Sequence, residues 1–128
     1  MSGERVNTGT VEFRLREDGI LHGVALPDRK QSLDDARRNL ETADRLRGGV
    51  RVPLLLDIRS TGTLSREARE LYAGDEGAER ITALAFVSGS AFTRVVGNLF
   101  IRVAKTSYPV RLFSAEVDAT AWLREFRS

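Results

Sequence analysis

Val52 to Ser65, VPLLLDIRSTGTLS, followed by REARELYAG, narrows the choice of fold more than any other stretch of the chain. An apolar run ends on an acid, crosses a short polar loop and enters a helical pattern behind a serine. A strand that is apolar at nearly every position is covered on both faces, as in the middle of a parallel sheet. Pro53 fits a strand entry or an unpaired edge position. The arrangement recurs at Ile81–Val87, ITALAFV, which turns through Ser88-Gly89-Ser90 into an apolar-rich run from Ala91 to about Ala104. Two buried strands, each followed by a helix, predict an α/β domain.

The flanking segments complete the pattern. After Thr10, Val11, Phe13 and Leu15 alternate with Glu12, Arg14 and Arg16, the period of a strand with one wet face. Asp18-Gly19 marks a hairpin turn, and Ile20–Leu26 reads as the returning strand, closed by Pro27-Asp28. Ser32 caps a first helix with Asp34 and Asp35 in its opening turn. Leu33, Ala36, Leu40 and Ala43 form its apolar stripe, and Asp34/Arg38 and Glu41/Arg45 stand at ion-pair spacing. Gly48-Gly49 ends it. Ser65 caps a second, highly charged helix that buries Ala68, Leu71 and Tyr72 and stops at Gly74; Asp75–Arg80 is a polar connector with room for a helical turn. Tyr108–Phe113 makes a last strand. Ser114 then caps a C-terminal helix with Ala115, Ala119, Trp122, Leu123 and Phe126 on one face. The expected order is ββαβαβαβα, a mostly parallel sheet with an antiparallel edge strand. Residues 1–9 are expected to be a flexible N-terminus, and residues 10–128 a single domain.

Composition excludes several classes of function. The 128 residues suffice for one continuous core, and the lack of cysteine removes disulfides, thiol nucleophiles and thiolate metal sites. The N-terminus lacks the apolar centre of a signal peptide, and no apolar run approaches the ~18 residues that span a bilayer. A cytoplasmic protein with no membrane insertion is expected. The pI is near 9.5, yet net charge is only +2, with cations dispersed among carboxylates, so no nucleic-acid partner is expected. The basic residues are 18 Arg against 2 Lys, the usual mark of a GC-rich bacterial genome.

No catalytic set, cofactor site or metal site can be assembled. His22 is the only histidine, and no partner acid is identifiable from the sequence, so it reads as structural rather than as a general base. Asp57 ends a central strand, where open α/β sheets bind ligands. With Ser60, Thr61 and Thr63 near it, and Ser88, Ser90 and Arg94 after the next strand, it could line a polar pocket; alternatively it fixes its own turn through loop amides. In the third helix Phe92, Val95, Val96, Leu99, Phe100 and Val103 make one wide apolar face. Ile101 falls outside that arc, flanked by Gly97 and Ala104. Gly97, Phe100, Ile101 and Ala104 therefore suggest an interface, whether with a neighbouring helix, a second subunit or a lipid-like ligand.

The element order, with LLLDI leading through a polar loop to a capped helix, resembles the SpoIIAA-like (STAS) superfamily. A closer resemblance is to small uncharacterised bacterial proteins grouped as STAS/SEC14-like. It is carried by Ser65-Arg66-Glu67-Ala68-Arg69, Val96-Gly97-Asn98, Tyr108-Pro109 and Leu112-Phe113, and it covers Val11 to Phe126. The resemblance implies a SpoIIAA-like fold and a non-enzymatic regulatory or protein-interaction domain, with a homodimer and a regulatory protein as partners. Its SEC14 side implies instead a carrier or sensor of a small apolar ligand. In the anti-sigma-factor antagonists of the superfamily a serine opening the second helix is phosphorylated, and Ser65 stands nearly there. Leu64 replaces the aspartate expected before that serine, and the loop is about a residue shorter. About two negative charges placed there, beside Arg66 and Arg69, would shift the local electrostatics; an unmodified Ser65 is an N-cap worth ~1 kcal/mol.

Overall fold

Local chemistry decides where the elements begin and end. In the computed structural model, which describes residues 4–27, 29–60, 63–91, 94–95, 98, 101–102 and 106–127, β1 (Arg5–Asn7), β2 (Val11–Leu15) and β3 (Leu21–Ala25) form an antiparallel ribbon. The short β4 (Lys30–Gln31) precedes α1 (Leu33–Arg47). Ser32 and Asp35 close a reciprocal capping box: the Asp35 amide donates to Ser32 Oγ at 3.2 Å and the Ser32 amide to Asp35 Oδ2 at 2.9 Å. Gly48 and Gly49 carry the chain out of α1 with φ of +64° and +81°, where a side chain would be strained.

β5 (Val52–Asp57) leads through β6 (Thr63–Leu64) to α2 (Arg66–Ala73) and the single turn α3 (Asp75–Ala78). β7 (Ile81–Val87) follows, then β8 (Val110–Phe113), α4 (Glu116–Leu123) and a 3₁₀ turn at Arg124–Phe126. Between β7 and β8 the described residues Ala91, Arg94, Val95, Asn98, Ile101 and Arg102 are helical.

One six-stranded sheet runs in the order β1-β2-β3-β5-β7-β8, and β4 pairs with β6 in a separate two-stranded piece. β2 is antiparallel to both neighbours, whereas β3, β5, β7 and β8 are all parallel. The sheet is thus mostly parallel with an antiparallel edge, as the alternation of elements predicted. Each of its faces carries its own core. On one, Phe13, Leu21 and Val52 pack under α1, and this layer continues through Leu54 and Leu56 to Ile81, Leu84, Phe86 and Tyr108. Gly23 belongs to it: a Cβ there would lie 3.0 Å from the Phe13 ring and 3.1 Å from Leu56. On the other face Ile20, Leu55, Ala83, Ala85 and Val87 meet Ala119 and Leu123 of α4, all at 0–1% exposure. Burial of large side chains such as Ile20, Leu55 and Leu123 contributes about 1.5–3 kcal/mol each.

Several expectations are corrected. Arg5–Asn7 is not loose but hydrogen-bonded to β2, with Val6 opposite Phe13. The ion pairs of α1 are Arg38–Asp35 and Arg47–Asp44 at i,i+3; Asp34/Arg38 and Glu41/Arg45 form none among the described residues. The Asp35 carboxylate serves the cap and Arg38 together. Ala115, not Ser114, is the N-cap of α4, and no side chain bonds there. Trp122 and Phe126 still fall on the buried side, stacked edge-on at 4.9 Å.

Candidate functional site

The C-terminal ends of β5 and β7 bring Asp57, Ser88 and Gly89 to adjacent positions. Asp57 pairs in register with Val87, and the Ile58 amide donates to the Val87 carbonyl at 2.9 Å. Asp57 is only 7% exposed. Its carboxylate accepts from the Arg59 amide at 3.0 Å and from the Arg59 guanidinium through Nε at 3.0 and 3.1 Å and Nη2 at 2.6 Å. Burial alone would raise the Asp57 carboxyl; the Arg59 side chain, then its amide and its charge, outweigh burial and hold it below the ordinary carboxylate range. The stem of Arg59 lies across Gly89, where an added Cβ would come within 2.9 Å of Arg59 Cγ. Asp57 therefore fixes its own turn and clamps the next strand end, the second of the two roles open to it from sequence.

The other expected pocket residues divide. Ser88 is 2% exposed and its amide donates to the Phe113 carbonyl, so it belongs to the sheet. Ser60, Ser90 and Arg94 are exposed, and Thr61 lies outside the described residues. Ser65 is the N-cap of α2: its Oγ accepts from the Ala68 amide at 3.0 Å, its own amide donates to Gln31, and its side chain stays half-exposed. Arg66 beside it pairs with Glu70 at 2.9 Å on the surface.

Among the interface residues, Gly97, Phe100 and Ala104 lie outside the described residues. Ile101 is half-buried and packs against the Ile58–Phe86 layer. Val95, assigned to the sheet-facing arc, is 64% exposed. The helix is thus rotated from its expected setting: Ala91, Arg94, Val95, Asn98 and Arg102, at i, i+3, i+4, i+7 and i+11, are all exposed.

Two polar clusters escaped the sequence reading. Asn39, 2% exposed in the middle of α1, donates to Thr10 Oγ1 (3.2 Å), Gln31 Oε1 (3.2 Å) and the Tyr72 hydroxyl (2.9 Å), and accepts from Thr8 Oγ1. The Tyr72 hydroxyl donates to Gln31 Oε1 at 2.6 Å. Burial, little offset by the hydrogen bond from Asn39, raises the Tyr72 phenol far above its usual range. The second cluster surrounds His22, half-buried on the α4 side of β3. Burial lowers its pKa; Glu116 opposes that, Arg14 and Arg16 reinforce it, and Asp57 opposes it. The acids that sequence alone could not pair with His22 come from α4 and β5. Only the cross-strand alternation of β2 and β3 hinted at the Arg14–His22 juxtaposition.

Among the described residues no three histidines or carboxylates gather as a metal site, and no helix is long and apolar enough to cross a membrane. No curated protein matches the chain. Among solved structures it is similar to an uncharacterised DUF3478-family protein with a SpoIIAA-like fold from Shewanella loihica PV-4. The two are 19% identical, with 94% of this chain and 99% of that one covered and a TM-score of 0.64. A protein of unknown function from Arthrobacter sp. FB24 is 28% identical over 87% of this chain and 96% of that one, with a TM-score of 0.32. The family model described as a domain of unknown function, DUF7793, matches residues 13–127. With its sheet order and both helical layers in place, the chain has a SpoIIAA-like fold and belongs to the DUF7793 family.

Proposed function

We propose that this domain acts by binding protein rather than by catalysis, and that it does so as a homodimer. The observation that best supports this reading is the Asp57–Arg59 clamp. The carboxylate that stands where an α/β sheet would meet a small ligand is held by a neighbouring guanidinium at 2.6 Å. What remains open is surface: the exposed stripe of the helical segment with Val95 on it, and the half-exposed Ser65 at the head of α2. A phosphoryl group on Ser65 would place charge at that helix end and give a partner a state to read.

Light scattering tests the dimer. A mass of twice 14.2 kDa is expected for the wild type. Val95→Glu is expected to return it to a monomer at unchanged stability, because Val95 is 64% exposed. Ile101→Glu is the poorer probe, since it would unfold the layer it packs on. A wild type that is monomeric throughout, or a copurified lipid seen by native mass spectrometry, would overturn the reading, the latter in favour of an apolar-ligand carrier.

A further inference from the structure

α4 packs on β5, β7 and β8 and leaves the same face of β1, β2 and β3 without a helix. The register there aligns basic residues: Arg5 lies opposite Arg14, and Arg14 opposite His22, which in turn stands beside Leu55 at the rim of the α4 core. With strands ~4.8 Å apart the row is about 10 Å long. Like charges directly across strands destabilise a sheet, so such a row carries a cost. It is only partly relieved. Arg5 reaches Glu12 in an exposed pair at 3.3 Å, and Arg16, further along β2, is committed to Asp18 at 2.6 Å and to Thr120. Half-buried Arg14 has no hydrogen bond or ion pair among the described residues, and His22 Nε2 is buried without a partner. The charged groups facing His22 are Arg14 and Arg16 from the β2 side, Asp57 from β5 and Glu116 from α4, and Asp57 is already held by Arg59.

We propose that Arg5, Arg14 and His22 form a binding row for the phosphate group of a small ligand, seated on the uncovered part of the sheet beside α4. A guanidinium takes phosphate oxygens in a planar fork, and a phosphate group concentrates about two charges on several acceptors, more than a carboxylate offers. The histidine ring turns on a broad terminal torsion, so its unpartnered nitrogen can be presented to a ligand on the row. Binding there offsets the repulsion between Arg14 and its neighbours and supplies the missing hydrogen-bond partners.

The sole histidine makes the test direct. The imidazole proton resonances of His22 are followed while sodium phosphate is added at constant ionic strength and neutral pH. A saturable shift is expected, weakened about tenfold or more in Arg14→Gln, which removes a charge-assisted hydrogen bond, and unchanged in Arg37→Gln, an exposed change on α1. Phosphate is also expected to raise the melting temperature of the wild type but not of Arg14→Gln. That variant relieves a like-charge pair and is expected to melt no lower than wild type without phosphate. Acetate at the same ionic strength is expected to do much less. A non-saturable response, or one that survives Arg14→Gln, would overturn the site. Equal responses to phosphate and acetate would overturn the assignment to phosphate.

Discussion

The buried network around Asn39 predicts a specific pattern of coupled losses. Tyr72→Phe removes a hydroxyl that donates to Gln31 at 2.6 Å and accepts from Asn39 at 2.9 Å. At a net ~0.5–1.5 kcal/mol per hydrogen bond, the variant loses about 1–3 kcal/mol. Asn39→Ala removes the same bond from the other side, together with those to Thr10 and Gln31 and the one accepted from Thr8. It leaves Thr8, 9% exposed, without its side-chain partner in α1, so about 2–4 kcal/mol is expected. Because the two variants share one bond and one acceptor in Gln31, the double variant should lose about 1–2 kcal/mol less than the sum. Urea unfolding of all four proteins measures this, with the slopes checked for equality. Additivity within about 0.5 kcal/mol, or a neutral Tyr72→Phe, would refute the claim that these groups tie α1, α2, β4 and the β1–β2 turn together.

Other outcomes follow from geometry at single positions. A Cβ at Gly77 would stand 1.9 Å from the Tyr72 carbonyl oxygen, itself the acceptor of the Tyr108 hydroxyl at 2.9 Å. Gly77→Ala is therefore expected to cost about 1–3 kcal/mol by overpacking, read as a lowered urea midpoint. Asp57 has a lowered carboxyl in the folded chain. The stability it contributes is thus complete above the unfolded value of ~3.9 and is lost as pH falls through the folded value. Asp57→Asn should flatten the acid limb of a stability–pH curve below about pH 4, and parallel curves for variant and wild type would refute the clamp.

Where a residue type has one structural use, the sequence was readable. The apolar runs before Asp57 and Ser88 are the central strands of the sheet, Asp18-Gly19 is the hairpin turn, and Ser32 and Ser65 are helix caps. What stayed hidden depended on partners distant in sequence. β1 offers one apolar residue in three and exists because β2 has an unpaired edge for it. Asn39 and Thr42 sit on the buried side of α1, where periodicity had placed only Leu33, Ala36, Leu40 and Ala43, because Thr8, Thr10, Gln31 and Tyr72 come to meet Asn39. The rotation of the helical segment around Val95 and Ile101 was beyond a helical wheel: with apolar residues over most of its circumference, several settings cover the sheet equally well. His22 could not be given its acids, since Glu116 lies 94 positions further along the chain.

The lone helix on its side of the sheet has a consequence for synthesis. Every strand is complete by Phe113, yet Leu55, Ala83, Ala85 and Val87 wait for α4 to be shielded. A ribosome that stalls or terminates between those points releases a finished sheet with a bare oily side, the kind of intermediate that chaperones bind and that clumps when they do not. The last quarter-turn of translation, rather than the assembly of the strands, is then the vulnerable moment in the life of this chain.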